Sequence, residues 1–378
     1  VAICFIYVSV LEKNYEYLKS RASIFLIIML GYFIISSLLS DNILFSLKSS
    51  MLYFRFIIFA IAVWYLIDNK KNFLKIFRIF LIVSFILAIF SGFFQFFFGE
   101  TILGKETVSD RLLLISSDNL FLGQYLARLF PLLVATIIVK ENFSFRDYII
   151  LFLLFISSDV IIYLSGERTA LGLMLFSSIF ILLLISKLRV FRLFTLLTSV
   201  LVIILITIFN PSIKERNIDQ TISQMGLSNN DKIYMFSYEH ENFYKTSYQI
   251  FKSNYFFGVG PNNFRNNCEN KKYNNNINLC STHPHHTYFQ VMAELGLFGI
   301  MFLISILVFF FKMILRHIKS IFKNNERYLS DYQVCLVCCF ACTFLPLLPT
   351  LNLFNNYINI IYYIPLGFLL SSLRVKRY

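Results

Sequence analysis

The segment CSTHPHHTYFQ, from Cys280 to Gln290, holds three of the chain's five histidines within four positions. An imidazole that is neutral near physiological pH can take a proton from a hydroxyl group, so this cluster is a candidate for general-base catalysis. The cluster stands directly before a long apolar run, at the entrance of a predicted membrane helix. That position suits a lipid-linked substrate.

Two other interpretations of the histidines remain open. The first is a zinc site that also uses Cys268, Cys280 and His240, although the HPHH spacing is not that of common structural zinc sites. The second is a polar cap at the membrane interface, in which a hydroxyl side chain such as Ser281 or Thr287 begins the following helix.

Several arginines stand at the same predicted ends of the apolar runs as the histidines. Arg168 lies in LSGERTALG between two apolar runs, and Arg265 follows GVGPNNF. Arg111 and Arg128 frame a further polar stretch. Guanidinium groups match phosphate geometry, so these residues predict an anion site. In the alternative interpretation, Arg168 pairs with Glu167 or extends its charged end to the membrane surface.

The composition indicates a membrane protein. The 378-residue chain is 57% hydrophobic and only 15% charged, with 45 Phe residues. A soluble domain could not bury so much apolar surface, whereas repeated apolar runs of about 20 residues fit helices that cross a membrane. The net charge of +13 lies in short loops between these runs, so we expect no nucleic-acid partner.

We expect an all-α fold, a polytopic bundle of about 11 transmembrane helices. A twelfth is expected in the full chain, because the sequence opens inside an apolar run. Barrel-type alternation is absent from the sequence. The predicted spans are 1–11, 22–40, 51–67, 73–98, 120–139, 147–164, 169–186, 191–209, 287–313, 332–349 and 357–372.

The basic residues predict the orientation of the bundle. Lys and Arg concentrate in alternate loops, around residues 13–21, 70–78, 140–146, 187–192, 312–327 and 374–377. By the positive-inside rule these loops are cytoplasmic, and the long polar segment lies on the other side. The chain therefore divides into helices over 1–209, a periplasmic loop over 210–286 and C-terminal helices over 287–378.

The loop 210–286 is long enough to carry function. Its stretch ENFYKTSYQIFKS places Phe243, Ile250 and Phe251 on one helical face, which predicts a short amphipathic helix on the membrane surface or over the bundle. Cys268 and Cys280 also lie in this loop, and in an oxidising compartment a disulfide is their first interpretation.

The segment HPHHTYFQVMAELGLFG resembles the signature of the O-antigen ligase and O-antigen polymerase family, which is a histidine, a small polar residue, nine residues and Gly-x-x-Gly. On this spacing His285 is the signature histidine, His286 takes the small polar position, and Gly296 and Gly299 form the glycine pair. SGERTALG resembles the family's arginine segment, with Arg168 in the matching position.

A further segment, FFGVGPNNFR, resembles the end of the family's long periplasmic loop and carries Arg265. Upstream of its glycine turn the family commonly has another arginine, and this chain has His240 there. A histidine can still contact phosphate, but it carries full charge only when protonated.

The resemblance implies an inverting, metal-independent glycosyltransferase of the membrane-embedded GT-C type that needs no cofactor. His285 would be the catalytic base, and Arg168, Arg265 and His240 would bind pyrophosphate. The donor would be a glycan on undecaprenyl pyrophosphate, and the acceptor would be lipid A core or another glycan. The protein would be a multi-pass protein of the bacterial inner membrane, in contact with membrane lipids, with its active site facing the periplasm.

Two function classes remain as alternatives to a ligase. A polymerase that joins repeat units on the lipid carrier would use the same groups. A transporter or flippase of lipid-linked sugar belongs to another class, and it predicts internal repeats and charged residues near the middle of the membrane. A purely structural membrane subunit would not need histidines and arginines that converge on one side.

Overall fold

The computed structural model describes residues 2–106, 111–114, 120–140, 142–227, 233–234, 236–274, 276, 279–323, 326–346 and 348–375. Within these residues the regular secondary structure is helical, with no strand beyond isolated bridge residues such as Glu100 and Glu106. The all-α prediction is confirmed for this part of the chain. The helices are α1 (Ala2–Leu11), α2 (Arg21–Leu38), α3 (Ile43–Asn69), α4 (Phe73–Phe98), α5 (Leu122–Ile138), α6 (Phe145–Leu164), α7 (Arg168–Leu184), α8 (Arg189–Phe209), α9 (Pro211–Lys214), α10 (Gln220–Gln224), α11 (Tyr238–Ser253), α12 (Phe264–Cys268), α13 (Thr287–Phe322), α14 (Asp331–Thr343) and α15 (Asn356–Val375).

Several of these helices have the length and composition of membrane spans. Six in the described part of the chain are long and apolar enough to cross a membrane: α2, α3, α4, α6, α8 and α13. Four further apolar helices, with 10–17 residues each, are shorter: α1, α5, α7 and α14. These helices support a multi-pass membrane protein, while the number of spans and their orientation stay predictions.

Local sequence explains where two helices depart from the predicted spans. α3 begins at Ile43 rather than at residue 51, because the Asn42 side chain accepts a hydrogen bond from the backbone N–H of Phe45 at 3.4 Å. α14 ends at Thr343 rather than at residue 349, since Pro346 follows and cannot continue a helix.

The centre of the bundle is α5, in which every residue except Tyr125 is buried. It packs against α4, α6, α7 and α14. A helix that is apolar on all sides is typical of the middle of a helical bundle. The first turn of α5 brings Gly123 and Gln124 next to the start of α7, so α5 supports one of the two charged regions described below.

A buried ion pair ties α6 to α8. The Arg192 guanidinium donates to the two carboxylate oxygens of Asp159 at 2.8 and 3.0 Å, and both side chains are at most 1% exposed. Ser199 donates to the same carboxylate at 2.8 Å, and Arg192 also donates to Ser178 at 2.6 Å. From the sequence, Arg192 was predicted to be one of the charged loop residues. It lies in the interior instead, where Asp159 and Ser178 accept hydrogen bonds from its guanidinium.

The Gly-x-x-Gly pair interrupts α13 and attaches the long polar segment to it. Gly296 has φ 63° and ψ −157°, which is not helical. Around this break, backbone hydrogen bonds with N···O distances of 2.8 to 3.4 Å join residues 255–260 to residues 293–298. The approach is so close that a Cβ at Gly258 would lie 2.4 Å from the carbonyl carbon of Glu294. The glycines therefore allow main chain to pack directly on main chain.

We predict that Gly296→Ala destabilises the protein by at least about 2 kcal/mol, because the new Cβ must adopt a backbone conformation open only to glycine. It would also lie 2.6 Å from the backbone of Phe256 and Gly258. Thermal unfolding of the detergent-solubilised protein measures the effect. Gly31→Ala in α2 is the matched control, since a Cβ there meets nothing within 4 Å; equal unfolding temperatures for the two variants would contradict the prediction.

Candidate functional site

His285 occupies a constrained position directly before α13. Its φ is 54°, a left-handed conformation that is uncommon for a residue with a side chain. Its carbonyl accepts a hydrogen bond from the backbone N–H of Thr350 at 2.8 Å, which ties it to the connection between α14 and α15. Its Nε2 is 3.1 Å from the hydroxyl of Ser281. The ring is half-buried and lies 5.7 Å from the ring of Phe243, centroid to centroid, and these contacts limit its orientation.

His240, in the first turn of α11, is brought beside His285, with 5.7 Å between ring centroids. α11 begins here because the Ser237 hydroxyl caps it, and the same hydroxyl is 2.9 Å from Nδ1 of His240. Phe243 and Ile250 are buried on one face of α11, which packs against α13. The predicted amphipathic helix therefore exists in this part of the chain, and it carries His240 to the signature histidine.

The imidazoles of this cluster share an environment that disfavours charge. The ring centroids of His283 and His285 are 4.1 Å apart. Burial, and to a smaller extent the neighbouring His240, lowers the pKa of His285 to about 4. Burial also lowers the pKa of His240 and, more strongly, that of His283. All three rings are therefore neutral near pH 7, and His285 can accept a proton there.

His286 differs from His285 in its surroundings. Its Nε2 donates to the carbonyl of Pro346 at 3.1 Å, and its ring packs against Tyr244 and Phe289. These contacts connect α11, the start of α13 and the chain after α14. The position that the family signature gives to a small polar residue is filled here by a buried histidine that binds a backbone carbonyl.

Arg265 lies in α12, on the loop that pairs with the break in α13. It donates to the side chain of Asn262 at 3.1 Å and is half-buried. Its charge acts on both His283 and Glu294. Arg265 therefore lies on the histidine side of the site.

Glu294 holds the loop that carries Arg265. This residue of α13 is fully buried, and its two carboxylate oxygens each accept a backbone N–H at 3.0 Å, one from Asn262 and one from Phe264. The Gln290 amide donates to it at 3.0 Å. Sequence reasoning passed over Glu294, although a carboxylate inside an apolar run is a signal for a structural or functional role.

We predict that Glu294→Gln lowers activity at least tenfold and destabilises the protein by about 2 kcal/mol, because an amide nitrogen would face one of the two backbone N–H groups. In the same loop, the side-chain amide of Asn263 donates to the hydroxyl of Ser40, just after α2, at 2.8 Å. Asn263→Asp, which replaces this donating amide nitrogen with an oxygen and so removes the bond, is the comparison variant and should also destabilise the protein. Transfer assays and unfolding temperatures measure both effects; a fully active Glu294→Gln protein would contradict the assigned role.

Arg168 lies in a second charged region at the N-terminus of α7. Its guanidinium donates to the side chain of Gln224 at 2.7 Å. The positive charges of Arg111 and Arg216 lie near enough to repel its own. The neighbouring Glu167 accepts the backbone N–H groups of the first turn of α5, and burial raises its pKa to about 7. Arg216 was missed at the sequence level, because it lies in a polar stretch with no motif.

The two charged regions flank the connection between α14 and α15, residues 344–355. On one side, a Cβ at Gly172 in α7 would lie 2.9 Å from Leu348. On the other side, the same connection contacts His285 through Thr350. Among the described residues no hydrogen bond or ion pair joins Arg168 directly to His285. The structure thus brings His285, His240 and Arg265 into one group and places Arg168 in another.

Arg128 was predicted from the sequence to lie at the same ends of the apolar runs as the histidines. It is buried inside the bundle. It donates to Gln124 at 2.9 Å and lies over the ring of Tyr362, at 5.3 Å from the centroid. Its immediate partners are therefore residues of the bundle core.

Cys268 and Cys280 are joined by a disulfide, with 5.5 Å between their Cα atoms. The bond links α12 to the segment that leads into the histidines. Both thiols are thus used, and neither is a thiolate ligand for zinc. Within the described residues, no group of three or more His, Cys, Asp or Glu side chains is arranged to hold a metal ion.

An apolar cavity of about 830 Å³ begins beside the histidine cluster. At one end it is lined by Thr287 and Leu353, and α13 contributes Val291, Leu295 and Gly299 along its wall. Side chains of α2, α3, α14 and α15 complete most of the lining. The opposite end is bordered by polar and charged residues that include Arg21 and Arg374. The cavity thus extends along most of the length of the bundle.

A comparison with known proteins agrees with these observations. The family model described as O-antigen ligase matches residues 150–304, which include Arg168, the long polar segment, His285 and both signature glycines. No curated protein matches the chain. Over these residues the resemblance to the O-antigen ligase and polymerase family is confirmed.

Proposed function

We propose that this protein transfers a glycan from undecaprenyl pyrophosphate to an acceptor sugar at the periplasmic face of the bacterial inner membrane. The observation that carries the proposal is the His285 site. A neutral imidazole lies two residues before Thr287, which lines one end of an apolar cavity, and the charge of Arg265 acts close by. This combination of a base, a cation and an apolar space fits a substrate that is part sugar, part phosphate and part lipid.

The reaction follows from these groups. With Nε2–H donated to Ser281, the Nδ1 lone pair of His285 takes the proton from an acceptor hydroxyl. The freed oxygen attacks the anomeric carbon from the face opposite to the phosphate, the bond between that carbon and the phosphate oxygen breaks, and the lipid pyrophosphate leaves with its electron pair. The configuration at the anomeric carbon is inverted. Arginines stabilise the charge on the leaving group, which needs no metal ion.

The apolar cavity supports a polyprenyl carrier. Its lining is predominantly hydrophobic, and it starts at the first turn of α13, next to His286. A single flexible chain could lie along it, while the pyrophosphate stays at the histidine end. Burial of apolar chain at roughly 25 cal/mol per Å² would give the carrier much of its affinity.

The positive-inside pattern supports the assigned side of the membrane. Basic residues concentrate in the loops at the ends of the helices that are remote from the histidines, for example Lys70, Lys71 and Arg316. The proposal therefore places the disulfide-containing segment and the base in the periplasm.

Analysis of lipopolysaccharide in a deletion strain tests the proposal and identifies the acceptor. In the ligase form of the proposal, with lipid A core as acceptor, polymer disappears from the core and accumulates on the carrier. A single repeat unit on the core would instead show a polymerase. Unaltered lipopolysaccharide and carrier-linked glycan would refute both.

A further inference from the structure

The connection between α14 and α15 touches the histidine site at two points that are only two residues apart in the chain. The backbone N–H of Thr350 donates to the carbonyl of His285 at 2.8 Å. The side chain of Asn352 reaches the loop that carries Arg265, where its Nδ2 donates to Oδ1 of Asn262 at 3.2 Å. One short stretch of chain therefore contacts both the candidate base and the loop of the candidate cation.

The side-chain oxygen of Asn262 is shared between two donors. Nη2 of Arg265 donates to this oxygen at 3.1 Å, and Asn352 donates to the same atom. The backbone of Asn262 is held as well, since its N–H donates to Glu294 at 3.0 Å and its φ is 62°, a left-handed conformation that asparagine tolerates better than most residues. Asn262 therefore stands between Asn352 and the guanidinium and links their positions.

The amide of Asn352 is buried and has one orientation. Its Oδ1 accepts the backbone N–H of Phe354 at 2.9 Å and the amide of Gln290 at 2.8 Å. Because both of these groups are donors, Oδ1 must face them, and Nδ2 must face Asn262. Gln290 is itself fully buried in α13, and its Oε1 accepts the backbone N–H of Leu353 at 2.9 Å. The amide of Asn352 is thus a well-anchored donor.

We infer that Asn352 is a positioning residue for glycan transfer. Through the side chain of Asn262 it holds the guanidinium of Arg265 in place relative to His285, whose carbonyl the same connection binds. The inference rests on the proposed function, in which an arginine stabilises the charge of the departing lipid pyrophosphate. Such stabilisation depends on donors that are already in place before charge develops, so a guanidinium that loses its support stabilises the leaving group less well.

A double-mutant cycle between Asn352 and Arg265 tests the inference. The measured quantity is kcat/KM for transfer of a lipid-linked glycan to a lipid acceptor by the detergent-solubilised full chain. Asn352→Ala is expected to lower kcat/KM roughly tenfold, because a hydrogen bond that supports a charged group is lost. In a protein that already carries Arg265→Gln, the same substitution should lower kcat/KM less than about twofold, because the amide acts through the guanidinium.

Asn262→Gly tests the same link from its other end and leaves Asn352 in place. Glycine adopts a φ of 62° without strain, and the backbone N–H that donates to Glu294 remains. Only the side chain that joins Asn352 to Arg265 is removed. We expect this variant to show a similar loss of kcat/KM and the same dependence on Arg265, and it keeps the test decisive if Asn352→Ala does not fold.

Asn359→Ala is the matched control, because Asn359 is a second buried asparagine that holds the same connection. Its Nδ2 donates to the carbonyls of Leu353 and Asn355, both at 2.8 Å, and its Oδ1 accepts from the Tyr53 hydroxyl at 3.2 Å. We expect Asn359→Ala to lower the unfolding temperature. Any activity that it loses should be lost to the same degree with Arg265 and with Arg265→Gln, since the two sites are independent.

Equal losses from Asn352→Ala with and without the arginine would show a structural role alone and would overturn the inference. Unchanged kcat/KM in Asn262→Gly would also overturn it. In both cases the proposed glycan transfer would still stand, because the unaltered protein transfers glycan in the same assay. Absence of transfer by the unaltered protein would instead refute the proposed function, and this inference with it.

Discussion

The His285→Ala variant is expected to transfer glycan roughly 10²- to 10⁴-fold more slowly than the unaltered protein, because the acceptor hydroxyl loses its base. The loss should appear in kcat rather than in KM, since His285 acts on the reacting proton. The measurement is transfer of a lipid-linked glycan to a lipid acceptor in membranes or detergent. Unchanged transfer would show that His285 is not the base.

His286→Asn is the matched control for this prediction. It alters the adjacent histidine but keeps an N–H that can donate to the carbonyl of Pro346, and it restores the small amide of the family signature. We expect it to retain activity. A pH profile adds a second readout. A pKa of about 4 means that His285 is unprotonated above that pH, so the unaltered enzyme should not lose its base between pH 8 and 5.5.

The second large effect concerns stability. Replacing Asp159 with leucine should destabilise the protein by about 3–5 kcal/mol, because it leaves the buried Arg192 guanidinium without its carboxylate. The pair makes two hydrogen bonds at 2.8 and 3.0 Å in the interior between α6 and α8, where no water can replace them. Thermal unfolding in detergent, followed by size-exclusion chromatography, measures the loss.

The double variant Asp159→Leu, Arg192→Met compares the attraction between the two charges with the free energy that it costs to bury them. It removes both charges and should recover most of the stability lost in the single variant, since well-packed apolar groups can replace a buried ion pair. Additive losses in the double variant would mean that each side chain contributes independently. Lys140→Met, which disrupts the exposed pair of Lys140 with Asp147, is the comparison, and we expect it to cost less than about 1 kcal/mol.

Much of the helical layout could be predicted from the sequence, because long apolar runs and their polar ends are local signals. α4 and α6 to α8 lie close to their predicted bounds for this reason. The pattern could not reveal which helices lie at the centre or that α13 breaks at Gly296. Centrality depends on packing between distant helices, and the break depends on backbone pairing with residues 255–260.

The candidate site was predicted in part. His285 was identified from its spacing to two glycines, and the amphipathic pattern of α11 was enough to predict the helix that carries His240 to it. Glu294 acts through backbone donors more than 25 positions away, at Asn262 and Phe264. Arg216 joins Arg168 only after the chain folds back from α8. A sequence motif reports neither relation, because both depend on tertiary contacts.

The break at Gly296 has a consequence for engineering. Around this break, main-chain hydrogen bonds between residues 255–260 and 293–298 attach the long polar segment to α13, and among nearby side chains Glu294 adds to the attachment. Residues farther along the loop, toward Cys280, can then be exchanged without loosening it. Under the proposed function, the corresponding segment of a protein that the same family model matches, joined at Gly258 and at Gly296, is a practical graft for changing the acceptor sugar.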